Sequence, residues 1–339
     1  MSQDGDVLAT VLDTLKRDPS IEFGDPGARV EHLARVDRPF STVHRLRIHT
    51  RTGSVTAYAK ILKPYGNTPE ELAMADRMLR REFKATKGLF EVLRQDSEIG
   101  AVRPIAFLPE HLAVVTEEFP GRPFSDLLDT ATSATEELRA VARRVGGWIR
   151  IYQSLGASGN TVSLTERREY LDERLKQVEG RVITPGERQG VLSTFDALAA
   201  RLGPDVLAVP IHADLTPPNI IVDATGRIAV LDFTMVKTGT HCHDISHVYF
   251  HLEMIGARQR KREMMRELQR ALLAGYSPSL SEADPLFQLM LIQHVACHVA
   301  LLAARRVPVV DLAYRWFVRR RWQMCLRMIK PPASAPRAA

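Results

Sequence analysis

Three oxygen-bearing side chains, Asp214, Asn219 and Asp232, bracket a tight hairpin in this sequence. Pro217 and Pro218 lie between the first two, and each ring fixes its own φ, which stiffens the loop. Strands near 219–223 and 228–233, joined by a turn at 223–226, bring Asp232 back beside Asn219. An amide oxygen and a carboxylate at one end of a hairpin are two hard ligands. Mg²⁺ takes such ligands when phosphates and water complete its shell. Asp214 stands just outside that pair, where a carboxylate could take the proton of a hydroxyl.

The complementary charge lies upstream. Lys60 falls in the middle of an alternating segment in which Val55, Ala57, Ala59 and Ile61 share one face and Thr56, Tyr58, Lys60 and Leu62 the other. A lysine at that position needs an anionic partner. Glu82 follows Leu79 and precedes Phe83, at the edge of a helical apolar stripe. A strand lysine paired with a helix glutamate can hold its ammonium toward a ligand's phosphates.

The elements that must position these groups are legible in outline. Residues 42–62 read as two strands around a turn at 51–54. A helix follows with a complete start signal: Thr68 as cap, Pro69 in the first helical position and Glu71 three residues after the cap. Its stripe runs through Leu72, Ala75, Leu79, Phe83, Thr86, Phe90 and Leu93. A further strand is expected at 111–119, then mainly helix to about 205, the polar hairpin, and helix again to Lys330. Strands gathered first and helices afterwards indicate an α+β chain of two lobes, with a hinge near 117–121. The expected boundaries are 1–117 for an N-terminal lobe, 118–330 for a C-terminal lobe and 331–339 for a frayed tail.

Composition narrows the class. With 45% hydrophobic and 25% charged residues the chain can bury a core, which excludes general disorder. Forty-six basic against 40 acidic residues give a net charge of +6, an excess too mild for a nucleic-acid partner but compatible with an anionic ligand or membrane surface. Cys242, Cys297 and Cys325 form neither an even set nor a CxxC spacing, so a reducing, cytoplasmic setting is expected. The start is acidic where a signal peptide is basic, and apolar stretches such as the one through 295–303 are broken by His294 and His298 and closed by Arg305 and Arg306. No bilayer crossing is expected.

The spacing His212-x-Asp214-x-x-x-x-Asn219, then Asp232 and Phe233, with Lys60 and Glu82 upstream in that order, resembles the aminoglycoside phosphotransferase and choline kinase group over roughly 30–330. These are small-molecule kinases with a bilobal protein-kinase-like fold. The resemblance implies that Asp214 is the catalytic base or orients the acceptor, that Asn219 and Asp232 bind magnesium, that Lys60 holds the α- and β-phosphates of ATP, and that Glu82 fixes Lys60. It also implies that Ser41 and Thr42, after Phe40, cover the nucleotide, and that the backbone around Glu117 and Phe119 binds adenine. His212 would be structural, and Asp244 would brace the catalytic loop. Two departures stand out: Thr234 occupies a position that is Gly in protein kinases, and Thr216, Pro217 and Pro218 replace the family's common His-Pro-Gly.

The implied activity is transfer of the ATP γ-phosphoryl group to a hydroxyl of a small non-protein acceptor such as an antibiotic, sugar or amino alcohol. Two alternatives stay open, a kinase acting on a lipid-linked or polysaccharide sugar at a membrane surface, and an idle nucleotide-binding module. The basic run from Arg258 to Arg270 and the Trp- and Arg-rich segment at 314–322 read first as solvated helix faces, and second as a surface for an anionic membrane. The histidines at 241, 243, 247, 251, 294 and 298 read as packed residues ahead of a zinc site.

Overall fold

The structure is a computed structural model that describes residues 3–17, 28–51, 53–64, 66, 68–156, 159–304 and 311–329. The expected tail at 331–339 and the arginine pair at 305 and 306 lie outside these residues. In chain order the elements are α1 (Gln3–Arg17), β1 (Arg29–Asp37), β2 (Ser41–Thr50), β3 (Gly53–Leu62), α2 (Pro69–Leu93), β4 (Pro104–Leu108), β5 (Ala113–Glu117), β6 (Arg122–Pro123) and α3 (Phe124–Thr130). Then come α4 (Glu136–Ser154), β7 (Thr161–Ser163), α5 (Leu164–Lys176), α6 (Pro185–Ala199), β8 (Asp205–Ile211), β9 (Ile220–Val222), β10 (Ile228–Val230), β11 (Lys237–Thr240), α7 (Cys242–Gln259), α8 (Arg262–Tyr276), α9 (Pro285–Ala304) and α10 (Asp311–Leu326). They group into two compact units, Met1–Leu128 with Pro217–Val236, and Asp129–Thr216 with Lys237–Ala339. The hairpin β9–β10 therefore groups with the strand-rich part, whereas the sequence reading assigned it to the helical one. The reason is local: β9 pairs with β6, and the turn after Asp232 packs on α2.

In the first unit β3 is the centre of an antiparallel sheet ordered β1-β2-β3-β5-β4. Its alternation sends Ala57 and Ala59 into a cluster with Leu46, Ile48, Val115 and, from α1, Val11 and Leu15. Leu62 goes to the opposite face, where it meets Val114 together with Ala75 and Leu79 of α2. Lys60 has the parity of Leu62 and so faces α2.

The start of α2 is as the sequence requires. Thr68 accepts from the Glu71 amide, the Glu71 carboxylate accepts from the Thr68 amide at 3.1 Å, and Pro69 opens the helix. Its buried stripe is Ala75, Leu79, Glu82, Thr86, Leu89 and Leu93, while Leu72, at the outer edge, is exposed. Strands β1 and β4, and the shortening of 111–119 to β5 after a 3₁₀ turn at Pro109–His111, were not foreseen. In β1, exposed on nearly every residue, no alternation exists to detect.

In the second unit β8 pairs with β7 and with β11, all antiparallel, and places Ile211 opposite Lys237. Of these, β7 and β11 fall in stretches that read as helix, and β8 follows the expected helical end near 205. Around them α4 packs on α8 so closely that a Cβ at Gly146 or Gly275 would collide with the facing backbone. Helix α9 is long and apolar enough to cross a membrane by length and composition, but Leu289, Met290 and Val295 are fully buried. It is packed as a core helix.

The capping of α2 is separable from its packing. Thr68→Ala should lower the free energy of unfolding by about 1 kcal/mol, read by urea denaturation, and Thr68→Ser should restore it.

Candidate active site

A lysine held mid-strand and mostly out of water must be paired, and Lys60 is paired three ways. Its Nζ donates to Glu82 Oε1 and Oε2 at 3.0 and 3.1 Å, to Asp232 Oδ1 at 2.6 Å and to Thr234 Oγ1 at 2.5 Å. Burial works against its charge, but the carboxylates of Glu82 and Asp232 outweigh burial and raise its pKa above the ordinary lysine value. Glu82 is buried on the inner face of α2, so the ion pair rests on a rigid element. Asp232 is the more open partner, its side chain 44% exposed.

Thr234 is the residue that sequence reasoning noted only as a departure. Its hydroxyl lies 2.6 Å from Asp232 Oδ1 and 3.0 Å from Glu82 Oε2, so it bridges the two carboxylates that share Lys60. A hydroxyl residue two positions after a candidate ligand Asp is the available sequence signal, since that reach is short. One ammonium against two carboxylates leaves this group with one negative charge in excess, which suits a cation beside Asp232.

Asn219 ends a 3₁₀ turn at Pro217–Asn219 whose last carbonyl accepts from the Leu231 amide at 2.9 Å. That bond continues the β9–β10 ladder and sets Asn219 and Asp232 at the same end of the hairpin, as their spacing predicts. Asp232 adopts a left-handed backbone with φ of 65°. For a residue with a side chain this costs about 1 kcal/mol or more and is found where function fixes geometry.

The remaining expectations for this unit fall in two places. Ser41 and Thr42 begin β2 and are both buried; the Thr42 hydroxyl donates to Asp37 at 3.0 Å, at the end of β1. Asp37 also gathers Arg35 and Lys63, whose hydrogen bonds hold its carboxyl well below the usual range. Glu117 ends β5, its amide bound to the Arg103 carbonyl. Glu118 ties the segment to the sheet, accepting from Tyr58 at 2.9 Å and from Arg45 at 3.0 Å. Phe119 packs under the Arg227 guanidinium, and its amide has no backbone partner among the described residues.

In the second unit the 212–214 loop hangs from one carboxylate. Asp244, fully buried at the start of α7, accepts from the His212 amide at 2.7 Å and the Ala213 amide at 3.0 Å. Burial alone would raise its pKa; the hydrogen bond and charge of His243, with the His212 amide, outweigh burial and lower it. Ala213, like Asp232, has φ of 65°, the turn that aims two successive amides at one acceptor. His212 is buried against Trp148 and accepts from the Asp214 amide through Nδ1 at 3.4 Å. Its role is to hold the loop. Asp214 follows, half-buried.

The histidines are packed side chains. His247 stacks on His294 with centroids 4.5 Å apart, His294 Nε2 bonds the His243 carbonyl and Ser246 Oγ, and His251 meets His247 at 3.2 Å. Among the described residues no group of three or more His, Cys, Asp or Glu is arranged to hold a metal. Much of the basic run is engaged: Arg258, Gln259 and Lys261 all bind Asp129, and Arg266 and Arg270 flank Glu263. Trp322 is buried, and Trp316, exposed, carries Arg320 over its ring.

A model of the phosphotransferase enzyme family matches residues 59–286, which include every residue of the Lys60 group and the 212–219 loop. The chain belongs to this family. Similar solved structures share its protein-kinase-like fold. One is a putative aminoglycoside phosphotransferase from Ralstonia eutropha (14% identity, 96% of this chain and 98% of that one covered, TM-score 0.61). Another is the choline kinase LicA from Streptococcus pneumoniae (13% identity, 97% and 99% covered, TM-score 0.51), and a third is a glucosamine kinase (16% identity, 93% and 97% covered, TM-score 0.51). No curated protein matches the sequence. As a member of the phosphotransferase enzyme family the chain is an enzyme of α+β fold, and its first unit brings Lys60, Glu82 and Asp232 together.

Two predictions follow from these contacts. Thr234→Val keeps the shape and removes the bridge between two carboxylates; unfolding stability should fall by about 2 kcal/mol, and Thr234→Ser should recover most of it, both measured in urea. Burial, then the charge of His298, lowers the pKa of His251 to about 4. The unfolded chain therefore takes up a proton below about 6.5 while the folded chain does not, and stability present at pH 7 drains away as pH falls toward 4. His251→Gln should flatten this loss by on the order of 2 kcal/mol between pH 7 and 5, seen in urea midpoints at the two pH values.

Proposed function

We propose that this phosphotransferase moves the γ-phosphoryl group of ATP to a hydroxyl of a small non-protein acceptor. The observation that carries the reading is the Lys60 ammonium held at once by Glu82 and Asp232. In this reading Lys60 meets the α- and β-phosphate oxygens, and Glu82 keeps its ammonium aimed at them. The Phe119 amide and neighbouring backbone receive the adenine edge, and the β1–β2 hairpin, through Ser41 and Thr42, covers the nucleotide.

The donor set of Asn219 and Asp232, both hard oxygens beside an excess negative charge, fits magnesium, which when bound would neutralise phosphate charge and orient the triphosphate. Asp214 takes the acceptor proton as the acceptor oxygen bonds to the γ-phosphorus and the bond to the β,γ-bridging oxygen breaks, leaving ADP. Its backbone is fixed for that task by the Asp244 brace and the strained Ala213. Positioning and charge do most of the work in phosphoryl transfer, so the set needs no covalent intermediate. All three cysteines are free, in keeping with a reducing cytoplasm. An idle module would have no need to keep both the buried Lys60–Glu82 pair and the braced Asp214 loop.

Asp214→Asn should lower kcat by about 10²-fold or more with ATP affinity changed by less than about threefold, the two being read by coupled ADP release and calorimetry. Transfer at the wild-type rate would remove the assignment. Asp232→Ala should abolish the difference between nucleotide titrations with and without magnesium.

A further inference from the structure

Asp232 stands immediately before a 3₁₀ turn at Phe233–Met235, the position from which an aspartate ordinarily caps a helical turn by accepting from the amides that follow. It does not cap this one. The turn is anchored instead by Phe233, which is buried. The Asp232 carboxylate is directed to Lys60 and to Thr234, both of which reach its Oδ1 at 2.6 Å.

Counting hydrogens shows how these contacts divide. An ammonium only donates, so Lys60 gives a hydrogen to the Thr234 oxygen at 2.5 Å. The hydroxyl then has a single hydrogen of its own and two carboxylate oxygens within reach, Asp232 Oδ1 at 2.6 Å and Glu82 Oε2 at 3.0 Å. The shorter contact takes it. Asp232 Oδ1 therefore accepts from two directions, from the ammonium and from the hydroxyl. An oxygen pinned twice stops the carboxylate from turning about its Cβ–Cγ bond, and that sets the direction of its second oxygen. Glu82 is held differently: both of its oxygens meet Lys60, at 3.0 and 3.1 Å, so this pair stands without Thr234.

We infer that Thr234 is a positioning residue whose hydroxyl fixes the rotation of the Asp232 carboxylate, so that Asp232 is already aimed when magnesium binds. The inference rests on the phosphotransferase reading above and deepens it, adding the group that orients the metal ligand. Losing the hydrogen-bond partner of a ligating carboxylate costs about 10- to 100-fold in metal affinity.

The test titrates ATP into the full-length protein by calorimetry, once with magnesium chloride and once with EDTA. In Thr234→Val the affinity with magnesium should fall about tenfold or more, while the affinity in EDTA should change by less than about twofold because the Lys60–Glu82 pair is intact. Thr234→Ala should behave as Thr234→Val, and Thr234→Ser as the wild type. Excess magnesium should restore much of the ADP release of Thr234→Val, a recovery that a folding defect does not give. Wild-type dependence on magnesium in both Thr234→Val and Thr234→Ala overturns the inference. An equal loss with and without magnesium overturns it too, since the hydroxyl then acts on Lys60 or on the fold alone. The same titrations separate the two levels. If ATP binds the wild type under neither condition, the phosphotransferase reading fails; if magnesium strengthens ATP binding alike in wild type and variants, only the role of Thr234 does.

Discussion

A lysine ammonium in the middle of a sheet, with most of its surface withdrawn from water, is tolerable only while carboxylates face it. That constraint on Lys60 organises the first unit. The parity of β3 sends the side chain toward α2, the capping box fixes where α2 begins, and the helical period then places Glu82 on the inner face. The segment after β10 contributes Asp232 and Thr234 from far along the chain, and residues 217–236 accordingly group with strands much earlier in the sequence. Removing Lys60 would leave the buried Glu82 without its cation, so this ion pair also helps to hold the unit together.

The second unit repeats the logic with the sign reversed. Asp244 is a carboxylate buried completely, and it is made acceptable by amides rather than by a lysine. Its hydrogen bonds fix two successive peptide groups, and the chain reaches them only by placing Ala213 in a left-handed conformation. Asp232 shows the same backbone excursion at the other candidate ligand segment. Both strained residues stand next to groups whose direction matters chemically, and both are held by surroundings that over-determine them.

Much of this was readable from residue types and spacing. The two strands of 42–62, the capped helix, the hairpin that unites Asn219 with Asp232 and the pairing of Lys60 with Glu82 all follow from local rules: alternation, capping chemistry and turn residues. The misses have equally local causes. The strand β1 is solvated on both faces and shows no alternation; β4, β7, β8 and β11 are too short or too uniformly apolar to differ from helix by period. Leu72 was assigned to the buried stripe and Leu89 left out of it, because periodicity fixes the angle of a face but not where the neighbouring sheet ends.

By itself the sequence determined which side chains are chemically equipped, in what order they come, and which short-range partners they have, since those depend on neighbours a few residues away. Tertiary structure alone decided that the Thr234 hydroxyl bridges Glu82 and Asp232, that the hairpin groups with the sheet, and that Lys237 emerges opposite Ile211. Such relations depend on where distant segments come to rest in space, and no period or motif along one chain encodes the distance between them.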